Sequence, residues 1–195
     1  MSGDTPRIPP LDLDGFVKVH RETFEGQSDP QQPVLNITRT WAHHPTLWAA
    51  QRPYQRYLFS DSTLARRDQE LIILRIGWLS GSDYELGQHT RFGLAAGLSE
   101  EEILRVAAGP SHPDWPRHDA ILLSAADSLH AEQDIDDATW RELEAVLSVQ
   151  QIMDLIVVVG RYWTVSTLLK TLRVPAEPDM PRLLQPREAQ RQDHS

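Results

Sequence analysis

The sequence contains no cysteine in its 195 residues. Disulfides, thiolate metal ligands and redox thiols are excluded together, because each needs a sulfur that can lose a proton or an electron. Lysine is nearly absent as well: of 19 basic residues only Lys18 and Lys170 are lysines. Acidic residues outnumber basic ones, the formal net charge is −9, and no stretch concentrates Arg and Lys. A nucleic-acid surface must displace counterions from a row of phosphates, so no nucleic-acid partner is expected. The strongest apolar run, Ile152 to Gly160, is short for a bilayer, and the opening MSGDTPRIPP lacks the charged and apolar regions of a signal peptide. No membrane association is expected, and the expected location is the cytoplasm. A Gly-rich phosphate loop, a Rossmann fingerprint and a Gly-x-Ser-x-Gly elbow are missing too, which argues against nucleotide and serine-hydrolase chemistry.

What is present suits a helical protein with one core. The hydrophobic fraction is 40% and the charged fraction 24%, ordinary values for a globular chain of this length. Three prolines within residues 1–10 suggest a flexible lead, and the Pro-rich, polar residues 175–195 suggest a disordered tail, leaving 11–174 as the helical domain. Within it, Asp12 or Asp14 can cap a helix running to about Glu25, residues 26–33 read as a loop, and Pro45 and Pro53 punctuate the next helices. The stretch RRDQELIILRIGWL, 66–79, is apolar around much of its circumference and should lie centrally. Two Ser-x-x-Glu capping boxes, Ser82 to Glu85 and Ser99 to Glu102, predict helix starts at 82 and 99. Asp136 or Asp137 caps another helix, and Ser148-x-x-Gln151 opens the last, reaching about Leu172. Val157 to Val159 favours strand locally, but the helical register of Leu155, Val158, Tyr162, Ser166 and Leu169 outweighs it. The expectation is an all-α, single-domain bundle of about six to eight helices.

The residues able to do chemistry are acids and imidazoles. Glu85 and His89, four apart on one helix, leave the same face and can share a proton or flank one substrate. The alternative is that Glu85 only completes the capping box of Ser82. Glu70 shares its stripe with Ile73, Leu74, Gly77 and Trp78 rather than with Arg66 and Arg67, so its carboxyl should be buried without a cationic partner and hold its proton toward neutral pH. A structural glutamate bonded to a backbone amide or to Arg75 is the competing reading. His20, His43, His44, His112, His118 and His130 show no repeated metal-ligand spacing, and no metal site is expected. Trp78, Trp115, Trp163 and Tyr84 could wall a pocket for a flat substrate, or simply pack the core.

The run from Arg67 to Arg75 (RDQELIILR), then Gly81-Ser82-Asp83-Tyr84-Glu85-Leu86-Gly87-Gln88-His89, then Ala96-Gly97-Leu98-Ser99 resembles the carboxymuconolactone decarboxylase family and its alkylhydroperoxidase D-like relatives. The resemblance extends from about residue 35 to 175, including the Trp115 loop, Ala125-x-Asp127-x-Leu129 and Leu-x-Val-Pro at 172–175. It implies an alkylhydroperoxidase D-like helical fold and homo-oligomers, trimers or hexamers. In the peroxidase relatives two cysteines match Ser82 and Glu85, and a glutamate and a histidine match Glu70 and His89. With both sulfurs missing, thiol peroxidase activity is not expected. The resemblance to the cysteine-free branch implies decarboxylation of a carboxylated lactone, or isomerisation or cyclisation of a small aromatic or polyketide-like substrate. Such chemistry needs no cofactor: carbon dioxide leaves, and the delocalised anion is stabilised and protonated at carbon. On this reading Glu70, Glu85 and His89 are catalytic, with His89 the proton donor, and Tyr84, Trp78, Ser82, Arg75 and Trp115 bind substrate. Arg161 is a second candidate for a substrate carboxylate. A helical protein that binds a ligand without turning it over is the alternative from another class.

Overall fold

The computed structural model describes residues 5–24 and 34–185. The loop expected at 26–33 and the ends of the lead and tail, 1–4 and 186–195, lie outside the described residues. Among the described residues there are nine α-helices and no strand. The count passes the expected six to eight because His44 and Pro45 restart the chain after a six-residue helix. The His44 imidazole accepts from the Leu47 amide, and Pro45 occupies the first turn, where its missing N–H costs nothing.

Contacts group the chain into two compact units, Met1–Asp61 with Leu169–Asp179, and Ser62–Leu168 with Met180–Ser195. The first contains α1 (Leu13–Thr23), α2 (Asn36–Trp41) and α3 (Pro45–Arg56), which runs into a π-helical turn, Tyr57–Asp61. Asp12, rather than Asp14, caps α1, accepting from the Gly15 amide at 2.7 Å. The core here is aromatic: Phe16, Phe24 and Trp48 surround a buried His20, with Trp48 edge-on to Phe24 at 4.7 Å. Pro53 sits within α3, where it removes a backbone donor, and the π turn begins four residues later. The lead is partly fastened: the Arg7 amide donates to the Leu172 carbonyl at 2.9 Å, and His43 Nε2 lies 2.9 Å from the Pro9 carbonyl.

The second unit is built around α4 (Arg66–Leu79), buried at every position from Gln69 to Gly77, as its all-round apolarity required. Around it lie α5 (Asp83–Ala95), α6 (Glu100–Arg105) with a 3₁₀ turn at Val106–Ala108, α7 (Arg117–Glu132), α8 (Asp137–Glu144) and α9 (Val149–Leu172), whose last turn groups with the first unit. Asp136 caps α8, and Gly97 takes the left-handed conformation expected after α5. Two ion pairs join α4 to α7. Arg67 holds both oxygens of Asp119, at 3.0 and 2.8 Å, and Arg75 holds both oxygens of Asp127, at 2.6 and 2.8 Å. Both pairs step by eight residues in the same sense, so α4 and α7 run parallel with two rungs about 12 Å apart.

The segment α9 is a single helix, so register prevailed over the local strand preference of its valines. By length and composition it could cross a membrane, which the nine-residue run inside it did not suggest. Its buried face nevertheless carries Asp154 and Ser166, and Asp154 Oδ2 accepts three hydrogen bonds from Ser62 and Thr63. The tail departs from expectation up to residue 185. Met180 and Leu184, four apart, are buried, and Leu184 joins the core of Leu71, Leu74, Leu86 and Ile103. Gly87 makes room for it: a Cβ there would overlap Met180. Polar, Pro-rich composition concealed two anchors that bury enough apolar area to order the segment.

Candidate active site

The sequence brings two helices together at Gly77. A Cβ at that position would stand 3.3 to 3.4 Å from the side chains of Leu86 and Glu85, so glycine lets α5 approach α4 closely. That approach places Glu70, from α4, against the α5 face carrying Glu85 and His89. All three are buried, with 0%, 3% and 5% of their surface exposed. His89 Nδ1 lies 2.6 Å from Glu70 Oε2, and His89 Nε2 lies 3.4 Å from Glu85 Oε2.

Glu85 is more than a capping residue. Ser82 Oγ caps α5 through a long 3.5 Å contact with the Glu85 amide, but the Ser82 amide donates to the Gly77 carbonyl, at 2.9 Å, instead of to Glu85. At Ser99 and Glu102 both halves of the box form. The Glu85 carboxyl is therefore released toward His89, and its Oε2 accepts no hydrogen bond among the described residues. Burial raises its pKa; the charges of His89 and Arg161 oppose the rise and that of Glu70 adds to it.

Glu70 corrects one expectation. It has a cationic partner, Arg66 one turn earlier, whose guanidinium contacts Glu70 Oε1 while Oε2 faces the imidazole. An arginine stem is long enough to bring its head group onto a stripe that its own Cα does not occupy. Glu70 is thereby held between an arginine and a histidine. Glu70 Oε2 thus faces Nδ1 of the ring while Nε2 faces Glu85.

Two aromatic rings complete the setting, and neither was selected from the sequence. Tyr162, from α9, stands edge-on to the imidazole with centroids 4.8 Å apart, and Phe92 does so at 5.4 Å. The Tyr162 phenol is pushed well above its ordinary pKa by burial and then by the charges of Glu85 and Glu70, so it remains a proton-bearing donor. Phe92 had a signal available, being one turn beyond His89. Tyr162 had none, since only tertiary packing brings α9 to α5.

The expected substrate-binding residues separate into different places. Tyr84 and Ser82 are buried on the first turn of α5. Trp78 packs against the core around Leu71, and Trp115 lies within it, donating from Nε1 to the Gly109 carbonyl at 3.0 Å. Arg75 is bound to Asp127 and to the Val106 carbonyl, 2.7 Å away, with Gly109 against its guanidinium. It is a strut between helices, its guanidinium committed to Asp127 and the Val106 carbonyl rather than to a substrate as expected, and Glu70 pairs with Arg66 and His89 rather than with Arg75, the partner of the competing reading. A cluster that the spacing did not suggest, Asp68, His118 and Asp119, brings possible ligand atoms within 4.8 Å of one another. Arg67 already neutralises Asp119 there, and His118 Nε2 lies 2.9 Å from Asp68. Both oxygens of Asp119 are thus engaged by Arg67.

Comparison with known proteins agrees with this architecture. Residues 45–122 match the carboxymuconolactone decarboxylase family. Among solved structures, an uncharacterised peroxidase-related protein with an alkylhydroperoxidase AhpD core from Ralstonia eutropha JMP134 is 17% identical, with 88% of this chain and 94% of that one covered and a TM-score of 0.73. A protein of unknown function from Agrobacterium tumefaciens is 23% identical over 71% of this chain and 96% of that one, TM-score 0.66. The debrominase Bmp8 is 10% identical over 88% and 92%, TM-score 0.67. No curated protein matches the sequence. At these identities the structures speak for the fold alone, an alkylhydroperoxidase D-like one, whereas the segment that matches the carboxymuconolactone decarboxylase family contains Glu70, Glu85 and His89.

Proposed function

We propose that the protein is a carboxymuconolactone decarboxylase-like enzyme that decarboxylates, or moves a proton on, a small lactone, aromatic or polyketide-like substrate through Glu70, His89 and Glu85. The observation that carries this reading is the convergence of His89 Nε2 and Glu85 Oε2. They face each other at 3.4 Å without closing a hydrogen bond, inside a buried site. A buried acceptor left unpaired has a free-energy cost. A substrate donor directed at Glu85 Oε2 would remove it.

Arg66 and Glu70 fix the imidazole, with the Nδ1 proton turned inward. Nε2 and the Glu85 carboxyl then share one proton, which burial helps to retain by raising the Glu85 pKa. When the carbon–carbon bond to a substrate carboxylate breaks, carbon dioxide departs and the electron pair remains as an enolate-like anion. The shared proton passes to its carbon, and water replenishes it. Tyr162, whose ring stands edge-on to the imidazole, would donate a hydrogen bond toward the developing negative charge. Proton addition or abstraction next to a carbonyl without loss of carbon dioxide would use the same atoms. The family and the missing thiol favour this chemistry over peroxide reduction.

The test is turnover of carboxylated unsaturated lactones and β-keto acids in deuterated water, following carbon dioxide release and deuterium entry at carbon. His89→Ala and Glu70→Gln should each lower the rate roughly 10²- to 10⁴-fold, the usual contribution of a positioned acid–base group, with far-UV circular dichroism unchanged. Full activity in either variant would overturn the assignment. Tight ligand binding with neither product would favour a binding protein.

A further inference from the structure

Gln88 is buried on α5, with 5% of its surface exposed, and the chemistry proposed above leaves it idle. Its Oε1 accepts no hydrogen bond among the described residues, and neither does Glu85 Oε2. At about 100° per residue, Gln88 lies about 60° from Glu85 round the helix and His89 about 40° to the other side, so the three share one face. Residues three apart on a helix have Cβ atoms about 5–6 Å apart. That face of α5 therefore holds two buried acceptors, a turn apart, that the described chain leaves unpaired. Thr90 Oγ1 is unpaired as well, but it lies about 140° round the helix from Glu85 and belongs to another face. A buried carboxamide oxygen without a donor costs free energy. An apolar side chain of the same length would pack there without that cost.

We propose that Gln88 is a specificity-determining residue that binds a hydroxyl group of the substrate, next to the part of the substrate that Glu85 engages. The inference rests on the reading of Glu85 and His89 as the reacting pair and adds the substrate class to it: a hydroxylated lactone, an enol or a phenol rather than a ring without a hydroxyl. A hydroxyl fits this turn of α5 for two reasons. It donates, which is what both unpaired oxygens require. It is also neutral, so it can be buried beside the Glu85 carboxyl, where a carboxylate would meet a like charge or compete for its proton. The substrate carboxylate that leaves as carbon dioxide is thereby directed away from Gln88. Discrimination follows from the same burial. A ligand that lacks the hydroxyl leaves Oε1 unpaired, which is how hydrogen-bonding sites reject deoxy analogues.

Binding separates this recognition from turnover. Two pairs of probes exchange a hydroxyl for a methyl group at one position: α-hydroxy-γ-butyrolactone against α-methyl-γ-butyrolactone, and catechol against 2-methylphenol. In titration calorimetry the wild-type chain should favour the hydroxylated member of at least one pair by roughly 10- to 100-fold, the range of one hydrogen bond to an otherwise unpaired buried group. Gln88→Met keeps the length of the side chain and removes both polar ends. It should abolish the preference and leave affinity for the methyl probes unchanged. Its unfolding midpoint without ligand should equal or exceed that of wild type, because an unpaired buried amide has been removed; a glutamine that only held the fold would give a lower one. His89→Ala should lose turnover and keep the preference. No preference in wild type, a preference that survives Gln88→Met, or a Gln88→Met midpoint several degrees lower would overturn the proposal, whether or not the protein turns a substrate over. Discrimination that is lost in Gln88→Met, with no turnover of any lactone or keto acid by wild type, would support the recognition and remove the decarboxylase reading instead.

Discussion

Replacing Glu85 by glutamine tests the environment of the site without knowledge of the substrate. The change is isosteric and removes one titrating group. In the unfolded chain the carboxyl titrates near its ordinary value of 4.5, whereas burial raises it in the folded protein. The folded state therefore binds this proton more tightly than the unfolded state does. Between the two pKa values the unfolded chain has released a proton that the folded chain retains, so wild-type stability falls as pH rises, by up to about 1.4 kcal/mol per pH unit. Below pH 4.5 both states are protonated and the contribution is fully present; above the folded pKa both are ionised and the loss levels off. His89 and Arg161 favour the ionised form and set how far the window extends, while Glu70 widens it. Urea titrations of wild type and Glu85→Gln at half-unit steps from pH 4 to 8 give the difference directly, because carboxylates common to both cancel. The wild-type-minus-variant stability should decline from about pH 4.5 upward. A difference that rose with pH, or stayed flat throughout, would mean that Glu85 is not desolvated, and the argument for a proton held in the site would fail with it.

Other expectations concern the scaffold. Arg75→Met leaves the Asp127 carboxylate and the Val106 carbonyl without their donor; because Asp127 is partly exposed, the cost should be about 2–3 kcal/mol rather than the full 3–5 kcal/mol of a buried pair, read by urea unfolding, and a loss under 1 kcal/mol would contradict the strut. Ser99→Ala should cost about 1 kcal/mol and Ser82→Ala clearly less, since only the first belongs to a closed capping box; equal losses would argue that Glu85 does cap its helix. Gly87→Ala should push Met180 off α5 and open the Arg182–Leu183 bond to trypsin several-fold faster than in wild type, whereas unchanged cleavage would show that the segment is not seated there.

The parts of this protein that were legible in its sequence depend on short-range periodicity. The helices over 66–79, 99–105 and 149–172 follow from apolar spacing and capping serines, and Glu85 and His89 meet because they are four apart. Glu70 was legible as buried, since its neighbours at three and four positions are apolar. Its partner was misjudged because a helical wheel assigns Arg66 by its Cα and ignores the reach of a long stem. Tyr162 and the docking of Met180 depend on packing between segments far apart in the chain, which no local window contains. Arg75 was read as a substrate anchor because a lone arginine in an apolar helix looks functional. Its acceptor, Asp127, lies on α7, and the matching eight-residue steps of Arg67 to Arg75 and Asp119 to Asp127 were the signal that could have exposed it.

That ladder is what connects the scaffold to the chemistry. At about 100° per residue, Arg67 and Arg75 lie within about 80° of each other on α4 and bind that side to α7, while Glu70 and Gly77 lie within about 20° of each other on a different side. The two ion pairs therefore set the rotation of α4 about its axis, and Gly77 sets its distance from α5. Either alone would leave the Glu70 carboxyl free to slide past the imidazole. Together they determine which carboxylate oxygen meets Nδ1 and hence which nitrogen of His89 turns toward Glu85. Arg67 and Arg75, without touching a substrate, should then influence the rate through the position of Glu70. Variants that leave Asp119 or Asp127 unpaired are expected to lower kcat more than they raise KM, because a displaced relay weakens the transition state.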